Sequence, residues 1–225
     1  MNRVTTTTSE APGWGLAPAV RLARRRAHHG GMHDLGPGAR EMTRLVEGVR
    51  DDQLGAPTPC PDYTLGDLLQ HVRGLAEAFT LAARKEQPAG GSTPPPAGDA
   101  ARLPEDWRGE TADWLSRLVD AWSDPAAWDG TAWIAGFEAP ASAVGITAAN
   151  ELVVHGWDVA RGSGQQLVVD DAALAPCREF VAMMSGPGSE EMRGDAFGPA
   201  VPVPDGATPL DEVIAGNGRD PAWSA

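Results

Sequence analysis

Asn150-Glu151-Leu152-Val153-Val154-His155-Gly156-Trp157-Asp158-Val159-Ala160 projects as a helix that is apolar nearly all the way round, because Leu152, Val153, Val154, Trp157 and Val159 leave no wide polar face. A helix of that character is central to its domain. It starts near Ala141 and runs to about Gly162, where Gly162 and Gly164 stop it. Glu151 and His155 are four residues apart and share one face, and Asp158 follows three beyond His155 on the same side. A carboxylate in such a helix is expensive to desolvate unless a charge or a metal compensates it. By itself the segment fits a hydrogen-bonded Glu–His pair as well as it fits metal ligation. It is neither HExxH nor the E-x2-H of carboxylate-bridged bundles, and it occurs once, which argues against a di-iron centre.

The segments on either side supply further helices. Pro37 stands in a first-turn position, and Met42, Leu45, Val46, Val49 and Leu54 recur at helical steps, which predicts a helix over 37–54. The prolines at 57, 59 and 61 cannot continue it. Thr64, with Asp67 three residues on, reads as an N-cap. The helix it opens, 65–86, gathers Leu65, Leu68, Leu69, Val72, Leu75, Ala76 and Phe79 within about 80° of arc. His71 lies on the flank of that stripe, about 100° from its centre. Residues 87–103, rich in Gly, Pro and Ser, form a long crossover loop. A third helix over 104–123 carries Trp107, Trp114 and Trp122, which implies heavy burial, and Asp124-Pro125 ends it. Residues 128–140 read as a loop or a short hairpin. Beyond the central helix come an extended Val168-Val169, a fifth helix over 171–185 capped by Asp170 or Asp171, and a Gly/Pro-rich tail with a short helix near 210–215. The fold class is all-α.

Length and composition narrow the function. A chain of 225 residues with 42% hydrophobic content can bury a sizeable core. Its formal charge is −13, and Arg3, Arg21, Arg24, Arg25 and Arg26 stand against Glu10 alone in residues 1–31, so the remainder is more acidic still. With no basic stripe after residue 31, nucleic acid and anionic membrane surfaces are poor partners. No apolar run approaches the ~20 residues of a membrane span. Two cysteines without CxxC spacing cannot build a disulfide framework, which fits a cytoplasmic location. Arg24-Arg25-Arg26 is followed by Ala27-His28-His29-Gly30-Gly31 instead of an apolar segment, so it is no twin-arginine export signal. Lys85 is the single lysine among eighteen basic residues, a coding bias of high-GC bacteria. Residues 1–31 show no periodicity and are expected to be a disordered extension; a second reading has Met32 as the native start, with the folded bundle over 32–225.

His71 adds the element that the central helix lacks. Two imidazoles and one carboxylate from two helices make a three-ligand set, His71, Glu151 and His155, that leaves coordination positions open. Asp158 is a candidate to orient an imidazole or a substrate from behind that set, the alternative being a carboxylate satisfied by solvent or N–H groups. Arg161, six residues past His155, is a candidate for holding an anionic substrate or cofactor. Cys60 precedes His71 by eleven residues, about 16 Å if helical, and is read with Cys177 as a packed thiol. His28, His29 and His33 are read as incidental surface imidazoles. Trp157, roughly 160° from His155, packs on the opposite side of its helix.

The run Thr58-Pro59-Cys60-Pro61-Asp62-Tyr63-Thr64-Leu65-Gly66-Asp67-Leu68-Leu69-Gln70-His71-Val72, taken with Glu151-Leu152-Val153-Val154-His155-Gly156-Trp157-Asp158, resembles the DinB/YfiT-like metalloproteins. The similarity is to the actinobacterial branch related to the N-terminal domain of mycothiol-dependent maleylpyruvate isomerase, and it spans about residues 33–223. It implies a DinB-like four-helix bundle with a long crossover loop, here followed by an extra C-terminal helix and the Gly/Pro-rich tail. It implies that His71, Glu151 and His155 bind a divalent metal, zinc first and nickel as the alternative. It further implies a transferase or isomerase acting on a small-molecule thiol such as mycothiol and an electrophilic substrate, with the protein a monomer or homodimer. Two departures stand out. Many members have Trp where this chain has Tyr63, and only about forty Gly- and Pro-rich residues follow the fifth helix where the isomerase has a further domain, so isomerisation of maleylpyruvate itself is not expected. A cationic metal centre would depress the pKa of a thiol. It could equally activate water for hydrolysis, or serve a non-catalytic metal- or ligand-binding bundle.

Overall fold

Thr64 opens its helix through the reciprocal bonds the sequence suggests: the Asp67 N–H donates to Thr64 Oγ1 at 3.3 Å and the Thr64 N–H donates to Asp67 Oδ2 at 3.0 Å. The computed structural model describes residues 31–87, 97–186, 193 and 198–225. Its elements are α1 (Gly36–Gly48), α2 (Leu65–Ala83), α3 (Trp107–Trp122), β1 (Thr131–Ile134), β2 (Phe137–Pro140), α4 (Ala141–Ser163), α5 (Asp171–Met183) and α6 (Pro209–Gly216), with short 3-10 turns between several of them. The extension expected over 1–31 lies outside the described residues except for Gly31, as do residues 88–96 of the crossover loop and much of the early tail.

The first four helices form the bundle. α2 packs against α3 and α4, α1 packs against α3 and α4, α5 lies on α4, and α6 lies on α5. The described residues are mostly helical, and an antiparallel hairpin β1–β2 departs from all-α, in register from Thr131 opposite Pro140 to Ile134 opposite Phe137. Ala135 and Gly136 turn it with φ of 48° and 87°, both in the left-handed region that two-residue hairpin turns require. The hairpin delivers the chain directly into α4.

Several boundaries differ from the sequence reading. α1 stops at Gly48 and not at 54, because Val49 is extended and the polar run from Arg50 closes a separate 3-10 turn in which the Gln53 side chain accepts the Arg50 N–H at 3.0 Å. α2 ends at Ala83, where Lys85 enters the left-handed region. α3 begins at Trp107 behind the Asp106 cap. Of its three tryptophans, Trp107 and Trp122 are buried, whereas Trp114 is half-buried with the Arg117 guanidinium 4.8 Å from its ring. Trp122 stacks edge-on against Trp128 with centroids 5.0 Å apart; its indole N–H donates to the Phe79 carbonyl and that of Trp128 donates to the Trp122 carbonyl. These bonds let two large rings be buried with their polar edges satisfied.

The end of the crossover loop is strapped to α2. Gly98 N–H donates to the Tyr63 hydroxyl at 3.1 Å, Asp99 N–H to Gln70 Oε1 at 3.2 Å and Ala100 N–H to Asp67 Oδ1 at 2.7 Å. A Cβ on Gly98 would lie 2.2 Å from the Asp67 carbonyl oxygen and 3.2 Å from His71 Cβ, so only glycine lets the strap lie this close to α2. Among the described residues no helix is long and apolar enough to cross a membrane.

Candidate metal centre

α4 is buried along most of its length, as its composition requires, and its polar residues are the ones that need partners. The His155 side chain is 8% exposed and Glu151 is half-buried beside it. His155 Nε2 is 2.9 Å from Glu151 Oε2, and its Nδ1 is 3.0 Å from Oδ2 of Asp158, which is fully buried. From α2, His71 brings its ring to 5.0 Å from that of His155 at 88°, and Tyr63 backs His71 at 5.3 Å. One ligand atom each from His71, Glu151 and His155 can be chosen so that all lie within 4.8 Å of one another. The fold therefore brings together the three residues singled out from sequence, although they stand on two helices about eighty residues apart in the chain.

The two imidazoles differ in charge. Burial pushes His71 well below the usual histidine range, with the neighbouring charges on His155 and Arg219 acting in the same direction, so it is neutral and able to donate a lone pair. Burial also opposes a proton on His155, but Glu151 and Asp158 outweigh it and hold the pKa at about 9. At neutral pH His155 thus donates Nε2–H to Glu151 and Nδ1–H to Asp158. On one side the cluster meets a small apolar cavity whose lining includes Met42, Val72, Phe79, Leu118 and Leu152.

Asp158 stands where the sequence placed it, behind His155, and it has a partner that sequence reasoning missed. Arg219, in the tail, has a side chain only 10% exposed. Its Nη2–H donates to Asp158 Oδ2 at 3.3 Å and its Nε–H to Oδ1 at 3.4 Å. The available signal was the short helical period near 210–215 behind a Thr208/Asp211 capping box, a sign that the tail docks.

Other candidates are placed elsewhere. Arg161 donates to the Trp223 carbonyl and lies 5.6 Å from the Trp157 ring, about 120° round α4 from His155, so it fastens the tail instead of facing the cluster. Trp157 packs on that same side, with Val154 and Ile214, as expected. His33 is not an incidental surface imidazole: it is half-buried, 3.1 Å from Glu179 and edge-on to Trp128 at 6.0 Å. Burial pushes the Cys60 thiol up to about 11 and the Cys177 thiol up to about 12, so both are protonated thiols. Cys177 is fully buried and donates to the Ala173 carbonyl at 3.4 Å.

The family described as mycothiol maleylpyruvate isomerase N-terminal domain matches residues 35–160. Two uncharacterized proteins of Mycobacterium tuberculosis, one from each of two strains, are 28% identical to this chain over 180 residues, which is 78% of this chain and 90% of theirs. The crystal structure of the mycothiol-dependent maleylpyruvate isomerase superposes with a TM-score of 0.51 at 20% identity, over 65% of this chain and 66% of that one. The chain thus spans just under two thirds of the isomerase, and the likeness to it is one of fold.

Proposed function

Because the chain belongs to the mycothiol maleylpyruvate isomerase N-terminal domain family, we propose that it binds a divalent metal through His71, Glu151 and His155 and acts on a small-molecule thiol of the mycothiol type. The observation that carries this reading is the convergence of three donor atoms within 4.8 Å. Ligands at about 2.1 Å from a tetrahedral zinc ion stand about 3.4 Å apart, so donor atoms within 4.8 Å of one another would close on one ion with their separations shrinking by about 1.4 Å or less. The donor chemistry fits as well. His71 is neutral, Glu151 supplies a carboxylate, and a metal held by His155 Nε2 would displace the proton that joins it to Glu151. Two imidazoles and a carboxylate suit zinc, and nickel shares the preference for imidazole.

A metal so held supplies a Lewis acid with open positions, able to favour the thiolate form of a thiol at neutral pH. The protein's own residues do the rest. Asp158 holds Nδ1 of His155, and the strap at Gly98 and the Tyr63 ring hold His71. The apolar cavity keeps water from one side of the cluster. On this reading the protein is a mycothiol-dependent transferase or isomerase of the cytoplasm, where Cys60 and Cys177 remain free thiols. A second reading, a metal-free structural pair, is favoured by the 2.9 Å Glu151–His155 contact.

Metal analysis of tag-free protein separates the two. About one equivalent of zinc or nickel, lost in His155→Ala, is the expected result; equal content in both proteins refutes the ligand assignment. Metal-loaded protein incubated with mycothiol and monobromobimane should then accelerate thiol alkylation, and His71→Ala should abolish the acceleration. Metal binding with no acceleration across several electrophiles would reduce the protein to a binding module.

A further inference from the structure

α4 presents two faces side by side. Asn150, Val154, Trp157 and Arg161 recur at three- and four-residue steps and form one stripe. The C-terminal segment covers that stripe along its length. Asn150 and Asn217, both buried, exchange side-chain amide hydrogen bonds at 2.9 and 3.1 Å. Ile214 packs with Val154 and Trp157, and Arg161 donates to the Trp223 carbonyl. Glu151 and His155 occupy the neighbouring face. Asp158 falls between the two, about 60° round the helix from His155, and it is bonded in both directions: to Nδ1 of His155 and to the Arg219 guanidinium.

We propose that Arg219 is a positioning residue of the metal centre, acting through Asp158 to fix the ring of His155 with Nε2 turned toward Glu151 and His71. The inference rests on the metal-centre reading above. A buried carboxylate with a single imidazole partner can pivot about its own bonds. Two guanidinium N–H groups on its two oxygens set its plane, because the fork of an arginine matches a carboxylate at two points. With that plane set, Oδ2 accepts from Nδ1 and Nε2 is the nitrogen turned to Glu151 and His71, the arrangement that defines tautomer and direction in a metal-ligating histidine. Arg219 also supplies a positive charge that helps make a fully buried Asp158 tolerable. The family match ends at residue 160, so this part of the site is contributed by a segment beyond it, brought in by the docking of α6.

Zinc affinity, measured by competition with a chromophoric chelator, tests the assignment together with the ring state of His155, read from long-range proton–nitrogen correlation spectra of the zinc-loaded protein. Arg219→Gln is expected to weaken zinc binding about 10- to 100-fold and to replace the single Nδ1–H tautomer with a mixture. Arg219→Lys, which keeps the charge without the fork, should fall between. Arg161→Gln cuts another contact of the same tail and should bind zinc as the natural protein does, with one tautomer. Natural-protein affinity in a folded Arg219→Gln, or an equal loss in Arg161→Gln, overturns the proposal. If Arg219→Gln does not fold, Arg219→Lys decides, and unchanged affinity and tautomer there also overturn it. Should the natural protein bind zinc no better than His155→Ala, the metal-centre reading itself fails, a result distinct from zinc binding that ignores Arg219.

Discussion

His155 is held from both ring nitrogens by carboxylates, and that makes its proton a structural component of the metal-free protein. With its pKa near 9 in the fold and about 6.5 in the unfolded chain, the folded state keeps a proton that the unfolded state loses. The resulting stabilisation, on the order of 3 kcal/mol, is complete below about pH 6.5 and is lost as pH rises through 9. His71 acts on the other limb. Held well below 6.5, it stays neutral while the unfolded chain takes up a proton, so stability falls as pH drops below 6.5. Between them these two groups place the stability maximum of the metal-free protein near pH 6.5, which urea midpoints measured from pH 5 to 10 will show. His155→Gln should flatten the decline between pH 6.5 and about 8.5, below the range in which the buried Cys60 and Cys177 thiols add a decline of their own; a natural protein already flat over that range would contradict the ion pair. Metal uptake near pH 7 should release about one proton from His155, measurable in weakly buffered solution, and the release should disappear above pH 9.

At the scale of elements, the centre depends on how α2 is presented to α4. Asp67 is used twice, once in the Thr64 cap and once to receive the Ala100 N–H of the strap. Thr64→Ala should therefore cost about 1 kcal/mol as a lost cap, seen as a lower urea midpoint with an unchanged slope. Gly98→Ala should do more, because the added methyl group meets the Asp67 carbonyl and the His71 side chain. A loss of about 1–3 kcal/mol and weaker metal retention are expected, since the strap must lift from α2 next to a ligand. Unchanged stability in Gly98→Ala would show that the strap is not in contact. The helices themselves were legible in the sequence, because apolar residues at helical steps, a capping box and proline breaks are local signals. The true ends of α1 and α3 were less so. Extended Val49 and the Gln53 bond that closes a separate turn are outcomes of packing and polar satisfaction that no local period reveals.

Across the whole molecule, the described end of the Gly/Pro-rich tail is part of the packed body. Val213, Ile214 and Ala215 are buried, Asn217 pairs with Asn150 inside the protein, and Arg219 completes the Asp158 cluster. A chain ending at residue 207 should lose cooperative thermal unfolding and expose Val154 and Trp157, detectable as binding of a hydrophobic dye and a red shift of tryptophan emission. A truncated protein that unfolds with the cooperativity of the full chain would contradict this placement. The acidic balance of −13 has no bearing on a site built from buried groups.

The sequence by itself determined the helical class and the central place of α4, because both rest on periodicity, and it singled out His71, Glu151 and His155 by residue type, with a fixed spacing only for the pair on α4. The tertiary structure alone decided that the three donor atoms lie within 4.8 Å, that Arg161 serves the tail, and that Arg219 stands behind Asp158. Those are contacts between segments tens of residues apart. They are set by which apolar faces bury against one another, and a buried charge finds its partner only after that packing has brought the two side chains together.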